Sequence, residues 1–183
     1  MKSAWIMAAF VLALPACAQQ TSSAQPFSVA VTDASGGRFT PAQYASSHGC
    51  TGENLSPAIA WQGAPANAKS FAVTIFDPDA PGGGFWHWLA SGIPATTKGL
   101  EAGVSHSPAL AALGVSEGVN GFGASGYGGP CPPRGQDHRY VVTVYALGVE
   151  TLPLPATATP AELEAAIQAS TIAKAETTIR AAR

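Results

Sequence analysis

A strand-like apolar run that breaks on a carboxylate and a turn does most to limit how this chain can fold. Residues 71–76 are β-branched and aromatic, as in a buried strand. Asp77-Pro78-Asp79-Ala80-Pro81-Gly82-Gly83-Gly84 can continue neither a helix nor a ladder, and an aromatic strand re-enters over 85–91. A second stretch repeats the logic in reverse order: the glycine- and proline-rich turn 126–135 feeds a strand over 138–147. Side chains alternate along a strand, which predicts that Phe71, Val73, Ile75 and Asp77 share a face. The same holds for His87, Leu89 and Ser91, and for His138, Tyr140, Val142 and Val144. The expectation is that Asp77, His87, His138 and Tyr140 meet at one rim of a sheet.

The N-terminus has a different character. Within residues 1–18 the only charge is Lys2, and residues 4–14 are an unbroken apolar run of 11, suited to a signal peptide and too short to span a bilayer. Two processing readings stay open: release after Ala16-Cys17-Ala18, or acylation of Cys17 in a lipoprotein-type box at 14–17. The first makes the product periplasmic or secreted, the second lipid-anchored in the cell envelope. Without the signal segment, eight Lys plus Arg face eleven Asp plus Glu, a balance that gives no sign of nucleic-acid binding. Export would leave Cys50 and Cys131 as the one cysteine pair. The residues allow either a disulfide or two thiols. A bridge closing a loop of this length is worth about 4 kcal/mol on the chain-entropy account.

Residues 19–26 form a polar leader, expected to be mobile, and 27–183 has the length for one domain. Alternation predicts strands over 27–32 and 58–61, with the turn-dense 38–69 wrapping the sheet. Residues 93–126 read as long irregular chain, a length that usually builds a site or a rim. Helix is predicted at the C-terminal end, capped by Thr159 with Pro160 in its first turn. Its two apolar stripes, Leu163/Ala166/Ile167 and Ile172/Ala175/Ile179, are rotated apart, which predicts one bent helix or two short ones with Ser170 as a second cap and Arg180 in the last turn.

Taken together, Asp77-Pro78-Asp79-Ala80-Pro81, Trp86-His87-Trp88, the segment 129–135 from Gly129 to Gly135, and His138-Arg139-Tyr140 resemble the phosphatidylethanolamine-binding protein family, also called Raf-kinase-inhibitor-like, in its bacterial branch. The likeness extends through 54–61, Asn120-Gly121-Phe122-Gly123 and 172–176. It implies a mostly β, antiparallel β-sandwich with a C-terminal helix or helices and a small anion-binding pocket. Asp77, His87, His138 and Tyr140 would take the places of that pocket's polar residues, with Pro132 and Pro133 as its wall. The chain departs from bacterial relatives at Ala169-Ser170, and no counterpart of the eukaryotic C-terminal helix tyrosine can be placed.

The chemistry of these residues suits binding without catalysis. Two imidazoles can donate to a phosphate, and Gly128 and Gly129 could offer backbone N–H groups unobstructed by side chains. Asp77 would repel an anion unless it instead orients an imidazole. Two His and one carboxylate could make a metal triad, but the spacing adds no metal signature, so no metal or other cofactor is expected. Ser91, Ser105 and Ser107 lack a nucleophile-elbow context, and His48 and His106 match no motif. The expected function is an exported, non-enzymatic protein that binds a small anionic or phosphorylated ligand. The alternative is a protein-interaction module that inhibits a kinase or protease through rim loops 45–57 and 104–133.

Overall fold

A computed structural model describes residues 25–155 and 158–183. The expected signal segment, both processing points at Cys17 and most of the leader lie outside the described residues. The chain forms β1 (Ser28–Val31), β2 (Ile59–Gln62), β3 (Ser70–Asp77), β4 (Phe85–Pro94), β5 (Gly99–Leu100), α1 (Pro108–Ala112), β6 (Ser116–Glu117), β7 (Asp137–Leu147), α2 (Pro160–Ser170) and β8 (Thr171–Ala182). The strands assemble into a three-stranded sheet, β1-β2-β5, and a five-stranded sheet, β6-β4-β3-β7-β8, with every strand pairing antiparallel.

The two sheets enclose one apolar layer. Ile59, Trp61 and Leu100 from the small sheet meet Phe71, Val73, Ile75, Val142 and Val144 from the large one, and Trp61 packs on Phe71 with ring centroids 5.3 Å apart. The outer face of the large sheet carries a second layer, in which Ala72, Leu89, Tyr145 and Leu147 are covered by Leu163 and Ile167 of α2. That helix begins as its sequence predicts. Thr159 accepts from the Glu162 N–H while the Glu162 carboxylate accepts from the Thr159 N–H, and Pro160 occupies the first turn. Among the described residues no helix is long and apolar enough to cross a membrane.

The structure corrects the expectation of further helix after Ser170. Residues Thr171–Ala182 pair with the whole length of β7. Ala175 and Ile179 are four residues apart, a separation that a helical stripe and one face of a strand share. Ile172, the third member of the supposed stripe, is exposed, whereas Ala181, two residues past Ile179, is buried. The β-branched Thr171, Ile172, Thr177, Thr178 and Ile179 favour the extended form. Arg180 lies in that strand and pairs with Asp137. A short helix, α1, also interrupts the stretch read as irregular, capped by the Ser107 hydroxyl.

A second correction concerns β4. Ile75 stands opposite Trp88 and Phe76 opposite Trp86, so His87 is an extra residue bulged out of the ladder. Alternation breaks there: Trp88 and Ala90 join the layer between the sheets, while Leu89 joins the layer under α2. His87 therefore does not share a face with Leu89 and Ser91. The turn between β3 and β4 closes at Gly84, whose φ of +108° suits glycine and whose missing side chain leaves room for the Phe76 ring.

Cys50 and Cys131 form a disulfide across a sequence separation of 81, with Cα atoms 5.9 Å apart. It joins two loops that no strand pairing holds together. By the loop-entropy account, replacing both cysteines with alanine is expected to lower unfolding free energy by about 2–4 kcal/mol, read as a lower urea midpoint with a steeper slope because the uncrosslinked unfolded chain exposes more surface; an unchanged midpoint would show that the bridge adds nothing to stability.

Candidate functional site

The three central strands of the large sheet deliver their polar ends to one place. β3 ends on Asp77, β7 opens with His138 and Tyr140, and the bulge in β4 turns His87 toward them. These four residues line a cavity of about 160 Å³, together with Ala80, Pro81, Phe85, Phe122, Cys131, Pro132 and Pro133. Of the residues singled out from the sequence, Asp77, His87, Pro132, Pro133, His138 and Tyr140 thus come together. Gly129 does not line the cavity: its N–H donates to Asn54 Oδ1 at 2.7 Å, and its missing side chain lets it pack on the backbone of residues 43–45. The Gly128 N–H is likewise occupied, donating to the His87 carbonyl at 2.8 Å. The two glycines hold the loop in place and do not present free donors.

Asp77 is buried and fully engaged. Its Oδ1 accepts from the N–H groups of Asp79 at 2.8 Å and Ala80 at 3.1 Å, which folds the Pro-Asp-Ala turn, and its Oδ2 lies 2.7 Å from His138 Nδ1. His138 is equally occupied, because its Nε2 meets the Gln136 side-chain amide at 2.8 Å. Asp79, the other carboxylate of the turn, is drawn off the rim by a guanidinium. Hydrogen bonds from the Arg139 side chain, at 2.6–3.2 Å, and from its backbone N–H hold the Asp79 carboxyl well below the usual carboxylate range.

His87 keeps polar reach to spare, and the Tyr140 hydroxyl leans on Asp77 beside it. His87 Nδ1 lies 2.6 Å from the Gly128 carbonyl oxygen. That oxygen can only accept, so Nδ1 carries the hydrogen and Nε2 of the neutral ring is left with a lone pair. Burial pushes the His87 pKa below its ordinary value of 6.5, outweighing the Gly128 carbonyl and the Asp77 charge, which act the other way. The His87 ring packs edge-on to Tyr140 with centroids 5.1 Å apart. Burial, and after it the Asp77 charge, pushes the Tyr140 hydroxyl well above the ordinary phenol range, so it remains a donor.

Phe85 lines the cavity, but Trp86 packs on Phe76 outside it, and Trp88 is buried core whose indole N–H donates to Glu117 at 2.7 Å. Phe122 was missed as a wall residue, although the Asn120-Gly121-Phe122-Gly123 motif carried the signal. The Asn120 side chain accepts from the Phe122 N–H at 2.9 Å and donates to the Gly126 carbonyl at 2.9 Å, a clamp that sets Phe122 against Phe85 and His87. His48 stacks on the outer face of Phe122, whereas His106 lies by Glu117, away from the cavity. Among the described residues no cluster of three or more His, Cys, Asp or Glu is placed to hold a metal ion.

The comparisons with known proteins bear on the family and the fold. The model of the family described as phosphatidylethanolamine-binding protein matches residues 30–182. The chain belongs to the phosphatidylethanolamine-binding protein family. Within that family it is 41% identical over 165 residues to the UPF0098 protein YbcL of Escherichia coli, covering 86% of this chain and 90% of the relative. It is 42% identical over 127 residues to a UPF0098 protein of Aquifex aeolicus, covering 69% and 73%. The crystal structure of E. coli YbcL, described as a new member of the mammalian PEBP family, superposes with a TM-score of 0.81 at 37% identity and covers 87% of this chain and 99% of that one. The β-sandwich and its C-terminal helix are those of the phosphatidylethanolamine-binding protein family.

The lowered His87 pKa has a signed consequence. Folding favours the neutral ring, so its contribution to stability is fully present above the unfolded-state value of about 6.5 and is lost as pH falls through the lower folded value. Imidazole NMR on the free protein is expected to show His87 titrating below 6.5. In the His87→Gln variant the loss of stability between pH 7 and pH 5 should shrink. A His87 that titrates at or above 6.5 would refute the assignment.

Proposed function

We propose that the cavity receives a small phosphate-like anion and that this chain is an exported binding protein with no catalytic step. One observation carries the reading: among the described residues the one carboxylate that lines the cavity, Asp77, has both oxygens satisfied within the protein, while His87 Nε2 is left without a partner and the Tyr140 hydroxyl, which leans on Asp77, can turn to a ligand. At about 160 Å³ the space is the size of a small headgroup. The family's name points to a lipid whose headgroup carries a phosphate, which supports the same ligand chemistry.

The tautomer of His87 decides how such an anion is held. The neutral ring turns a lone pair toward the cavity, so a fully deprotonated phosphate would meet repulsion. Binding needs one proton between Nε2 and a phosphate oxygen, taken from solvent by the imidazole or brought by the anion as P–O–H. Tyr140 donates to a second oxygen, and the helper pair Asp77–His138 keeps the turn and the β7 end in register. Among the described residues the wall carries no serine or threonine, and its one cysteine, Cys131, is held in the disulfide. The disulfide also supports export, together with the apolar N-terminal run.

Titration with inorganic phosphate, followed by imidazole and tyrosine NMR signals, tests the reading. Saturable shifts at His87 and Tyr140 are expected, with affinity falling by up to about tenfold per pH unit once the shared proton is lost. Tyr140→Phe should weaken phosphate roughly tenfold or more, as loss of a hydrogen bond to a charged group implies. Silence of His87 at saturating phosphate would overturn the anion reading, and a pH-independent affinity would overturn the shared proton.

A further inference from the structure

We propose that a second cleft, across the Cys50–Cys131 bridge from the His87 cavity, binds a small amphipathic carboxylate. This cleft, of about 510 Å³, has Phe39, Pro41 and Cys50 among its lining and carries Arg134 and Arg183. Among the described residues no Asp or Glu side chain lines it. The other arginines of the chain are ion-paired, Arg38 and Arg180 with Asp137 and Arg139 with Asp79, whereas Arg134 and Arg183 make no ion pair among the described residues. Two guanidinium groups not ion-paired to any Asp or Glu among the described residues, over an apolar floor, match an anionic head joined to an apolar body. A bare anion would leave the floor unused, and the volume lies in the range of small-molecule sites, unlike that of the His87 cavity.

Arg183 is held ready for such a head. Its Nη1 lies 3.3 Å from Cys131 Sγ, and its main-chain oxygen accepts from the Gly135 N–H at 2.6 Å. Gly49, at φ +78°, supplies the space: a Cβ there would stand 2.9 Å from Arg183 Nη2. The cleft adjoins the first cavity through paired walls. Phe39 packs edge-on to Tyr140 at 5.5 Å, Cys50 bonds Cys131, and Arg134 follows Pro133, so three cavity residues each have a neighbour that lines the cleft.

The probe is octanoate below its micelle concentration, added to the processed full chain and followed by amide and arginine Nε–H NMR. Saturable shifts at Gly49, Gly52, Arg134 and Arg183 are expected. Arg134→Gln and Arg183→Gln should each weaken binding by at least about fivefold, as expected for loss of a charge-assisted contact, and His87→Ala should leave it unchanged. Arg134 is exposed, so its variant keeps the test independent of any effect of Arg183→Gln on folding. Three results would each overturn the proposal: no saturable shift, shifts centred on His87, or undiminished binding in the double variant. Inorganic phosphate shifting the same signals as strongly as octanoate would overturn the part assigned to the apolar floor.

Discussion

The hydrogen bonds received by the Asp77 carboxylate fix the geometry on which the site depends. Asp77 is the last residue of β3, where the ladder runs out and the backbone would otherwise be free to diverge. One oxygen gathers two successive N–H groups and so folds the turn toward β4; the other holds the imidazole at the opening of β7. A single buried side chain therefore joins a central strand, the turn after it and a neighbouring strand. Such a carboxylate is stable in a low-dielectric place only because its acceptors are filled, and leaving those three donors unpaired would cost more than the group itself contributes. The same satisfaction removes its charge from the inventory that a ligand would meet.

The bulge at His87 then matters because it sets what the cavity does present. In an unbroken ladder, His87 would alternate onto the face of Leu89, under α2, and the cavity would lose its one adjustable group. The extra residue puts His87 on the same side as Trp88 and Tyr140. With Nδ1–H directed at the Gly128 carbonyl, the ring cannot choose its tautomer freely, and what it offers inward switches from acceptor to donor with one proton. Tyr140, pushed far above the ordinary phenol range, does not switch. The site pairs a fixed donor with a conditional one.

Much of this was legible because it lives in local pattern. The strands over 71–76, 85–91 and 138–147 announce themselves by β-branched and aromatic content, and the carboxylate-proline turn by its inability to continue either regular structure. The meeting of Asp77, His87, His138 and Tyr140 followed from placing polar residues at strand ends. What failed depended on information that period cannot carry. A bulge adds one residue without changing composition, so His87 was put on the wrong face. Ala175 and Ile179 satisfy both a helix and a strand, and only the partner strand β7 decides between them. The occupied N–H groups of Gly128 and Gly129 depend on Asn54 and on the His87 carbonyl, contacts with sequence separations of 75 and 41 residues.

The loops that complete the cavity are the last constraint, since strands alone supply only its polar floor. Phe122, Cys131, Pro132 and Pro133 arrive from irregular chain, which has no ladder to fix it and many conformations to lose. Each piece is tied down by a different device: Asn120 clamps the turn that carries Phe122, Asn54 reaches the Gly129 N–H, and the disulfide anchors Cys131 to the loop around Cys50. The proline pair after Cys131 adds stiffness without needing donors of its own. None of these ties involves the Asp77–His138 pair. The fold and the shape of the cavity are therefore set by separate groups of residues, so that loop sequence can tune what enters without altering the strands that hold the polar groups.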